Sequence, residues 1–497
     1  MRRKRLVKSL LASALQQAVY MLVGLILPRI LIEYYGSEVN GLVNSVTQFL
    51  GYISLLELGL SSVVSSSLYK PLAEHNEDEI SRIIIASERF FRRIAKILVI
   101  YTIGLTIVYP VFIDNQYSFW YTASLIMAIA ISSFGQYYFG LTWTILLNAD
   151  QKPYVGYLIQ TFTITVNLVC SIVLIKMGMP IQIVKLISSL IFILRPLLLT
   201  LYVKKHYRIN RSVAITENSI KQRKNGIAQH VAFAVFKNTD VAVLTIFSTL
   251  KMVSVYSVYH YVVDAVSGLA QTLMTSMTAM LGNLLAKKEE QKLQDLFEVY
   301  SFVVHISVVI VFSVANTLII SFVRIYTKGI SDANYIAPCF ATILVIAYAV
   351  YIIRMPYNQM VLAAGHYKQT QMSSWIEALI NIVLSAILVI KYDLVGVAVG
   401  TLVAMAYRML YLVLYLSKNI AYIKISFFVR MCISDIISII VIYFESKWMP
   451  TLANNYVEWI ISAMVVTCIY MMTTIIINLV INHRLVKKAY NLFVNKI

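Results

Sequence analysis

Apolar runs of about twenty residues or more recur along the whole chain, and no other feature narrows its fold as much. An α-helix rises about 1.5 Å per residue and the hydrocarbon core of a bilayer is about 30 Å thick, so each run can cross it. Fourteen runs qualify, at about 8–33, 40–69, 93–113, 118–147, 153–176, 180–203, 226–249, 253–286, 297–324, 335–364, 370–390, 394–417, 425–444 and 456–481. With 59% hydrophobic and only 13% charged residues over 497 positions, the expected fold class is an all-α polytopic membrane protein of about 14 transmembrane helices. The start, "MRRKRLVKSLLASALQQAVYMLVGLILPRIL", is basic and then apolar, with no small-residue cleavage site to close it. It reads as a retained first helix rather than a cleaved signal peptide.

The distribution of basic residues tests this topology, because a missed or invented span would scramble the alternation of basic loops. With the N-terminus inside, 30 of the 42 Lys and Arg fall on inward segments, seven fall on outward ones, and five lie within spans. Both termini are therefore expected in the cytoplasm. A net charge of +19 would suit nucleic acid if it were gathered on one folded domain, but here it follows the topology. Anionic lipid headgroups are the expected partners, and nucleic acid is not. Four cysteines, Cys170, Cys339, Cys432 and Cys468, are scattered with neither disulfide nor metal spacing.

The chain also repeats itself. "KPLAEHNEDEISRI" from Lys70 aligns with "NLLAKKEEQKLQDL" from Asn283 at a shift of 213, and "VNLVCSIVLI" from Val166 aligns with "INIVLSAILV" from Ile380 at a shift of 214. Asn167 then falls on Asn381, Ser171 on Ser385, and Arg195 near Arg408. Two copies of an even number of spans share one orientation, so the expected organisation is two parallel-related six-helix lobes, 1–203 and 226–417. A cytoplasmic linker at 204–225 joins them, and 418–497 adds two helices and a tail.

Ionisable groups inside a bilayer cost roughly 2.5–3.5 kcal/mol each at a helix centre, so they face a partner or a wet cavity. Span 8 puts Tyr256, His260, Asp264, Ser267 and Gln271 on one helical face. Span 10 does the same with Tyr348, Tyr351, Arg354 and Asn358, and Pro356 is expected to bend it. Span 2 carries an Asn40, Asn44, Gln48 stripe with Glu57 deeper, and span 11 carries Gln371, Ser374, Asn381 and Ser385 with Glu377 nearby. Several of these charges have a plain alternative. Lys237 and Asp240, three apart, suit mutual neutralisation, and Arg29 suits an ion pair with Glu33. Arg195 and Arg408 lie near cytoplasmic ends, where snorkelling is the favoured reading. Arg354 is deeper and has no acid on its own helix, so it faces either a phosphate, which its planar fork fits, or an acid such as Asp240 or Asp264. HExxH, Walker, nucleophile-elbow and DxD-type glycosyltransferase patterns do not occur, so no enzyme, catalytic residue, cofactor or metal site is expected.

Two six-helix copies, two added spans, Gly36 followed by "VNGL", "LLELGL" around Glu57 and Gly59, and "LLNADQKPYVGY" after span 4 together resemble the Wzx-type polysaccharide flippases. Their superfamily also holds the peptidoglycan lipid II flippases and the multidrug and toxin extrusion transporters. The resemblance implies export of undecaprenyl-diphosphate-linked oligosaccharide across the bacterial cytoplasmic membrane by alternating access. It further implies a cation-lined cavity for the diphosphate, and for many members an ion gradient of H+ or Na+. On that basis the cavity candidates are Arg354, Lys237 and Arg29, with Tyr351, Asn358, His260, Tyr256 and Gln271 for the sugar, and Asp240, Asp264 and Glu57 for ion coupling. The alternative from the same superfamily is an ion-coupled multidrug or organic-cation antiporter. A polysaccharide polymerase would need a large outward loop that the sequence does not provide.

Overall fold

The computed structural model describes residues 2–57, 60–113, 117–213, 227–420, 423–449 and 453–494; the side chains at 2–6, 62, 112, 227–234, 236–237, 269–276, 278–279, 286 and 492–494 are not among those described. Described secondary structure is helical throughout, and ten of its segments are long and apolar enough to cross a membrane. The chain divides into two compact units, Met1–Ser254 and Val255–Ile497.

In the first unit, α1 (Arg2–Gly51) is one long run that turns at Gly36, whose φ of 85° suits a residue without a Cβ. The first two expected spans therefore join through a single glycine rather than through a loop. A 3₁₀ turn, Tyr52–Glu57, precedes α2 (Leu60–Ala73). Next, α3 (Glu77–Phe112) starts where the Asn76 side chain accepts from the Glu79 amide, with Glu77, Asp78 and Glu79 favourably placed at the positive end of the helix dipole. Helix α4 (Phe119–Gly135) runs through a π-turn, Gln136–Gly140, into α5 (Leu141–Ala149); α6 (Pro153–Lys176), α7 (Ile181–His206) and α8 (Ile227–Phe247) follow. Beyond α7 the expected linker is at first tied down. The Asn210 amide donates to Ser81 Oγ at 2.9 Å, and Arg211 forks onto both carboxylate oxygens of Glu88 at 3.2 Å. Residues 214–226 of that linker lie outside the described residues.

Helix α9 (Leu250–Ala286) begins in the first unit and continues into the second. There α10 (Glu290–Tyr326) is followed by α11 (Pro338–Ile353), α12 (Met355–Ala363), α13 (Gln371–Asn419), α14 (Ile425–Ser446), α15 (Tyr456–Ile481) and α16 (His483–Val494). Again two expected spans share one helical run: α13 turns at Asp393, where φ is 50°. Gly400 lets its two halves close up on each other, with the backbone of Ser385 directly opposite. Some element bounds keep the offset of the sequence repeat. Glu77 and Glu290, which open α3 and α10, are 213 residues apart, while Phe112 and Tyr326, which close them, are 214 apart. Helices α5 and α12 keep a spacing of 214 at both ends, and each follows an interruption of the helix before it.

Polarity is turned inside out, as a bilayer requires. On α14 Val429, Ile433, Ile436 and Ile440 face outward, while Ser434 and Ser438 are fully buried. Ser434 donates to Asn478 Oδ1 on α15 at 2.8 Å, because lipid offers a buried hydroxyl no partner. At the end of the chain Lys488 reaches Asp295 at 2.6 Å and Glu298 at 2.7 Å on α10. Burial opposes its charge, but the two carboxylates outweigh this and hold the ammonium above its usual range.

A Cβ at position 400 would lie 2.7 Å from the Ser385 amide nitrogen, so backbone rather than a flexible side chain would have to move. Gly400→Ala is expected to destabilise by about 1–3 kcal/mol and to lower the thermal midpoint of the detergent-purified protein. Gly104→Ala, with nothing within 4 Å, is expected not to lower it. Equal midpoints for the two variants would contradict the close approach.

Candidate functional site: a shared carboxylate between two arginines

The site grows out of the break between α11 and α12. Pro356 supplies no backbone N–H and restricts the residue before it, so the α11 helix ends at Ile353 and Pro356 falls in the first turn of α12. The expected bend in span 10 is therefore a true interruption, centred on Arg354 itself (φ −74°, ψ −13°). The Asn358 amide still donates to the Arg354 carbonyl at 3.0 Å, which keeps the two pieces nearly continuous.

From this break the Arg354 side chain crosses to α13, where its Nη1 lies 2.6 Å from Glu377 Oε1. The other oxygen of Glu377 lies 3.6 Å from Arg408 Nε, on the second half of α13. Arg408 also donates to the Thr370 carbonyl at 3.2 Å and to the Ser373 hydroxyl. Side-chain exposures of 11%, 8% and 3% for Arg354, Glu377 and Arg408 put all three out of bulk solvent. Snorkelling, the favoured expectation for Arg408, is thus overturned, because its guanidinium turns inward onto a carboxylate, the carbonyl of Thr370 just before α13 and the Ser373 hydroxyl within it. For Arg354 the acid is Glu377, rather than the Asp240 or Asp264 considered from sequence. Two guanidiniums share one carboxylate, so the trio carries one net positive charge in the membrane-spanning part of the unit.

An aromatic wall continues from the trio. The Arg354 guanidinium carbon is 5.0 Å from the Tyr351 ring centroid, a cation–π distance. Tyr351 packs edge-on to Tyr348 at 6.2 Å, and the Tyr348 hydroxyl is 2.7 Å from His260 Nε2. His260 in turn stacks on Tyr256 at 5.5 Å. Asp264, one turn beyond His260 on α9, interacts electrostatically with Tyr351. Five sequence-derived candidates, Tyr256, His260, Asp264, Tyr351 and Arg354, therefore converge within the second unit, and Asn358 is half-buried one turn along α12. The side chains of Gln271 and Lys237 lie outside the described residues, and with Lys237 goes its expected pairing to Asp240.

The remaining candidates lie in the first unit, each in its own setting. Arg29 approaches Glu33 at 3.8 Å, the local ion pair expected from their spacing. Glu57 accepts from the Tyr137 hydroxyl at 2.6 Å. Asp240 is buried and interacts electrostatically with Tyr52.

Sequence reasoning missed a second polar cluster in the second unit. His305 of α10 sits between Asp435 of α14, with Nδ1 to Oδ2 at 2.5 Å, and Tyr357 of α12, with Nε2 to the hydroxyl at 2.6 Å. The signal was available, since each is an ionisable residue within an otherwise apolar span.

No family model matches the chain, and no curated protein does. Solved structures match with probability 1.00. A lipid II flippase, MurJ, in an inward closed conformation has a TM-score of 0.67 at 14% identity, over 97% of this chain and 100% of its own. An inward-facing multidrug resistance MATE transporter of the MOP superfamily scores 0.57 at 13% identity, over 81% and 94%. The Vibrio cholerae MATE transporter VcmN in its bent form scores 0.57 at 12% identity, over 84% and 97%. The chain has the fold of the MOP-superfamily transporters.

The shared carboxylate predicts an ordering of variants. Glu377→Ala leaves two buried guanidiniums facing each other without a counter-charge, whereas Arg354→Ala leaves Glu377 still paired with Arg408. Breaking a buried pair costs about 3–5 kcal/mol, so Glu377→Ala is expected to lower the thermal midpoint clearly more than Arg354→Ala. The reverse order would contradict the sharing.

Proposed function

We propose that this chain is a flippase that carries undecaprenyl-diphosphate-linked oligosaccharides across the bacterial cytoplasmic membrane by alternating access, for assembly of a cell-surface polysaccharide. The Arg354–Glu377–Arg408 trio is the observation that carries the proposal. Two planar guanidiniums within reach of one small anion form a ready receptor for a diphosphate, whose oxygens accept bidentate forks better than any neutral group. In the resting arrangement Glu377 occupies that position, so the buried charges are not left bare. On loading, the diphosphate displaces the carboxylate and draws on both arginines. Tyr351, Tyr348, His260 and Tyr256 then line a wall suited to sugar faces and hydroxyls, with Asn358 adding an amide, while the polyprenyl chain stays in lipid.

In this proposal the chain crosses the membrane fourteen times, as two parallel-related six-helix lobes, 1–203 and 226–417, with a linker at 204–225, two further helices within 418–497, and both termini in the cytoplasm. The matched bounds of α3 with α10 and of α5 with α12 support the repeat. The likeness to the lipid II flippase extends over 97% of the chain, against 81% and 84% for the two MATE transporters, which favours the flippase branch of the fold. Asp264, Asp240 and Glu57 are the candidate carboxylates for coupling to H+ or Na+.

An ion-coupled antiporter of organic cations is the second reading, and one observation favours it: Asp264 stands beside an aromatic wall, the environment a cation would choose. Two buried arginines on the same wall oppose a cationic substrate.

In a host lacking its own repeat-unit flippase, this chain is expected to restore surface glycan. Arg354→Ala and Arg408→Ala are each expected to reduce export about tenfold or more at unchanged protein level, which corresponds to about 1.4 kcal/mol or more of lost binding. Full export by a well-expressed Arg354→Ala variant, or resistance to toxic cations without glycan export, would overturn the proposal.

A further inference from the structure

The His305–Asp435–Tyr357 cluster lies outside the diphosphate site and none of its members has a part in the proposed substrate contact. Its placement is unusual for a structural pair. His305 is 2% exposed, whereas Asp435 is 14% exposed and lines a cavity of about 530 Å³ between α10, α11 and α14. Aliphatic side chains such as Val308, Ile346 and Ile439 make up most of its wall, with Ser313 and Asn316 as polar points along α10. An imidazole and a carboxylate inside a bilayer-spanning bundle are more costly than an apolar pair of similar size, so stability does not account for them.

Their surroundings isolate the pair. Among the described residues, Tyr357 from α12 and Cys432 from its own helix α14 interact electrostatically with Asp435, and Tyr443 of α14 lines the same cavity. From α15, Tyr470 is engaged by Thr317; toward the far end of the cavity, Glu445 of α14 accepts from Thr473. From α16, Lys488 is held by Asp295 and Glu298, and Glu298 lies seven residues before His305, about 10 Å along α10. Among the described residues, no lysine or arginine neutralises Asp435.

We propose that His305 and Asp435 form a proton-binding site at the wall of that cavity, whose occupancy is transmitted to α12 by Tyr357. In the unloaded state the neutral imidazole donates Nδ1–H to the Asp435 carboxylate and accepts the Tyr357 hydroxyl proton at Nε2, and the pair carries one negative charge. One proton taken from water adds at Nε2 and makes the pair an imidazolium carboxylate of zero net charge. The hydrogen bond to Tyr357 then reverses, its oxygen accepting from Nε2–H. Tyr357 lies three residues beyond Arg354, and α12 is also tied to α10 by the Tyr300 hydroxyl on Gln359 at 2.6 Å. Proton occupancy thereby bears on the segment that carries the diphosphate-binding arginine. This last step rests on the flippase proposal; proton binding itself does not.

Infrared difference spectra of the purified full chain in nanodiscs, taken as the buffer moves from about pH 8 to about pH 5, read the protonation directly across the range where histidine titrates. Beyond the signal of the exposed His75, His206 and His483, the wild type is expected to show an imidazole or carboxyl change amounting to one further proton per chain. That change is expected to be absent in both Asp435→Asn and His305→Gln and kept in Glu445→Gln. A wild-type titration without such a change overturns the proposal and needs no variant to fold; so does a change that survives both substitutions. A protonophore is then applied to cells exporting glycan. Wild-type export is expected to fall, and residual export by Asp435→Asn to become insensitive. Proton binding without glycan export would sink the flippase proposal and leave the site standing, whereas export in which wild type and Asp435→Asn respond alike to the protonophore would remove its coupling role.

Discussion

A bilayer interior supplies no hydrogen bonds, so every amide and polar side chain that enters it must find its partner within the protein. That constraint organises the whole chain. It makes the spans helical, sends Ser434 to Asn478 rather than outward, and has Asn381 donate to Thr401 Oγ1 at 3.0 Å between the halves of α13. It also confines departures from helix to a few residues suited to them. Gly36 and Asp393 turn α1 and α13 with one positive-φ residue each, and the break at Arg354 coincides with a proline that lacks an amide proton anyway.

The same constraint explains why the arginines come as a trio with Glu377. A lone guanidinium in the bundle would demand its own solvation, and one matched pair would leave no positive charge for a ligand. Two arginines on one carboxylate keep each buried charge partnered and still leave one excess charge. In the proposed cycle Glu377 is the placeholder that an incoming anion displaces. In the proposed proton site, the His305–Asp435 pair presents the opposite sign elsewhere in the same unit, at a cavity wall, and one proton cancels it.

Much of this was legible in the sequence, for reasons that also mark where legibility stopped. Apolar length gives spans, and helical periodicity gives faces, so the Tyr256–His260–Asp264 stripe and the Arg29–Glu33 pair were visible from local spacing. The repeat was visible because matched residues keep their offset, and α5 and α12 carry it in their bounds. Periodicity does not say which face meets which. Glu377 meets Arg354, 23 residues away, and Arg408, 31 residues away, through tertiary packing alone. The height of Arg408 in the membrane allows snorkelling, but Ser373 and the Thr370 carbonyl hold it inside. His305 and Asp435 are 130 residues apart and belong to no common stripe, so only the packing of α10 on α14 unites them. Gly36 and Asp393 were hidden for another reason, since one-residue turns leave too little polar sequence to mark a loop.

Reconstitution of the purified chain into liposomes, with a fluorescent undecaprenyl-diphosphate glycan in one leaflet and a membrane-impermeant quencher outside, measures the central claim most directly. The account predicts that the lipid-linked glycan crosses to the other leaflet at a rate that depends on Arg354 and Arg408, while a fluorescent organic cation is not transported. Transport of the cation, with the lipid-linked glycan confined to its original leaflet, would contradict it.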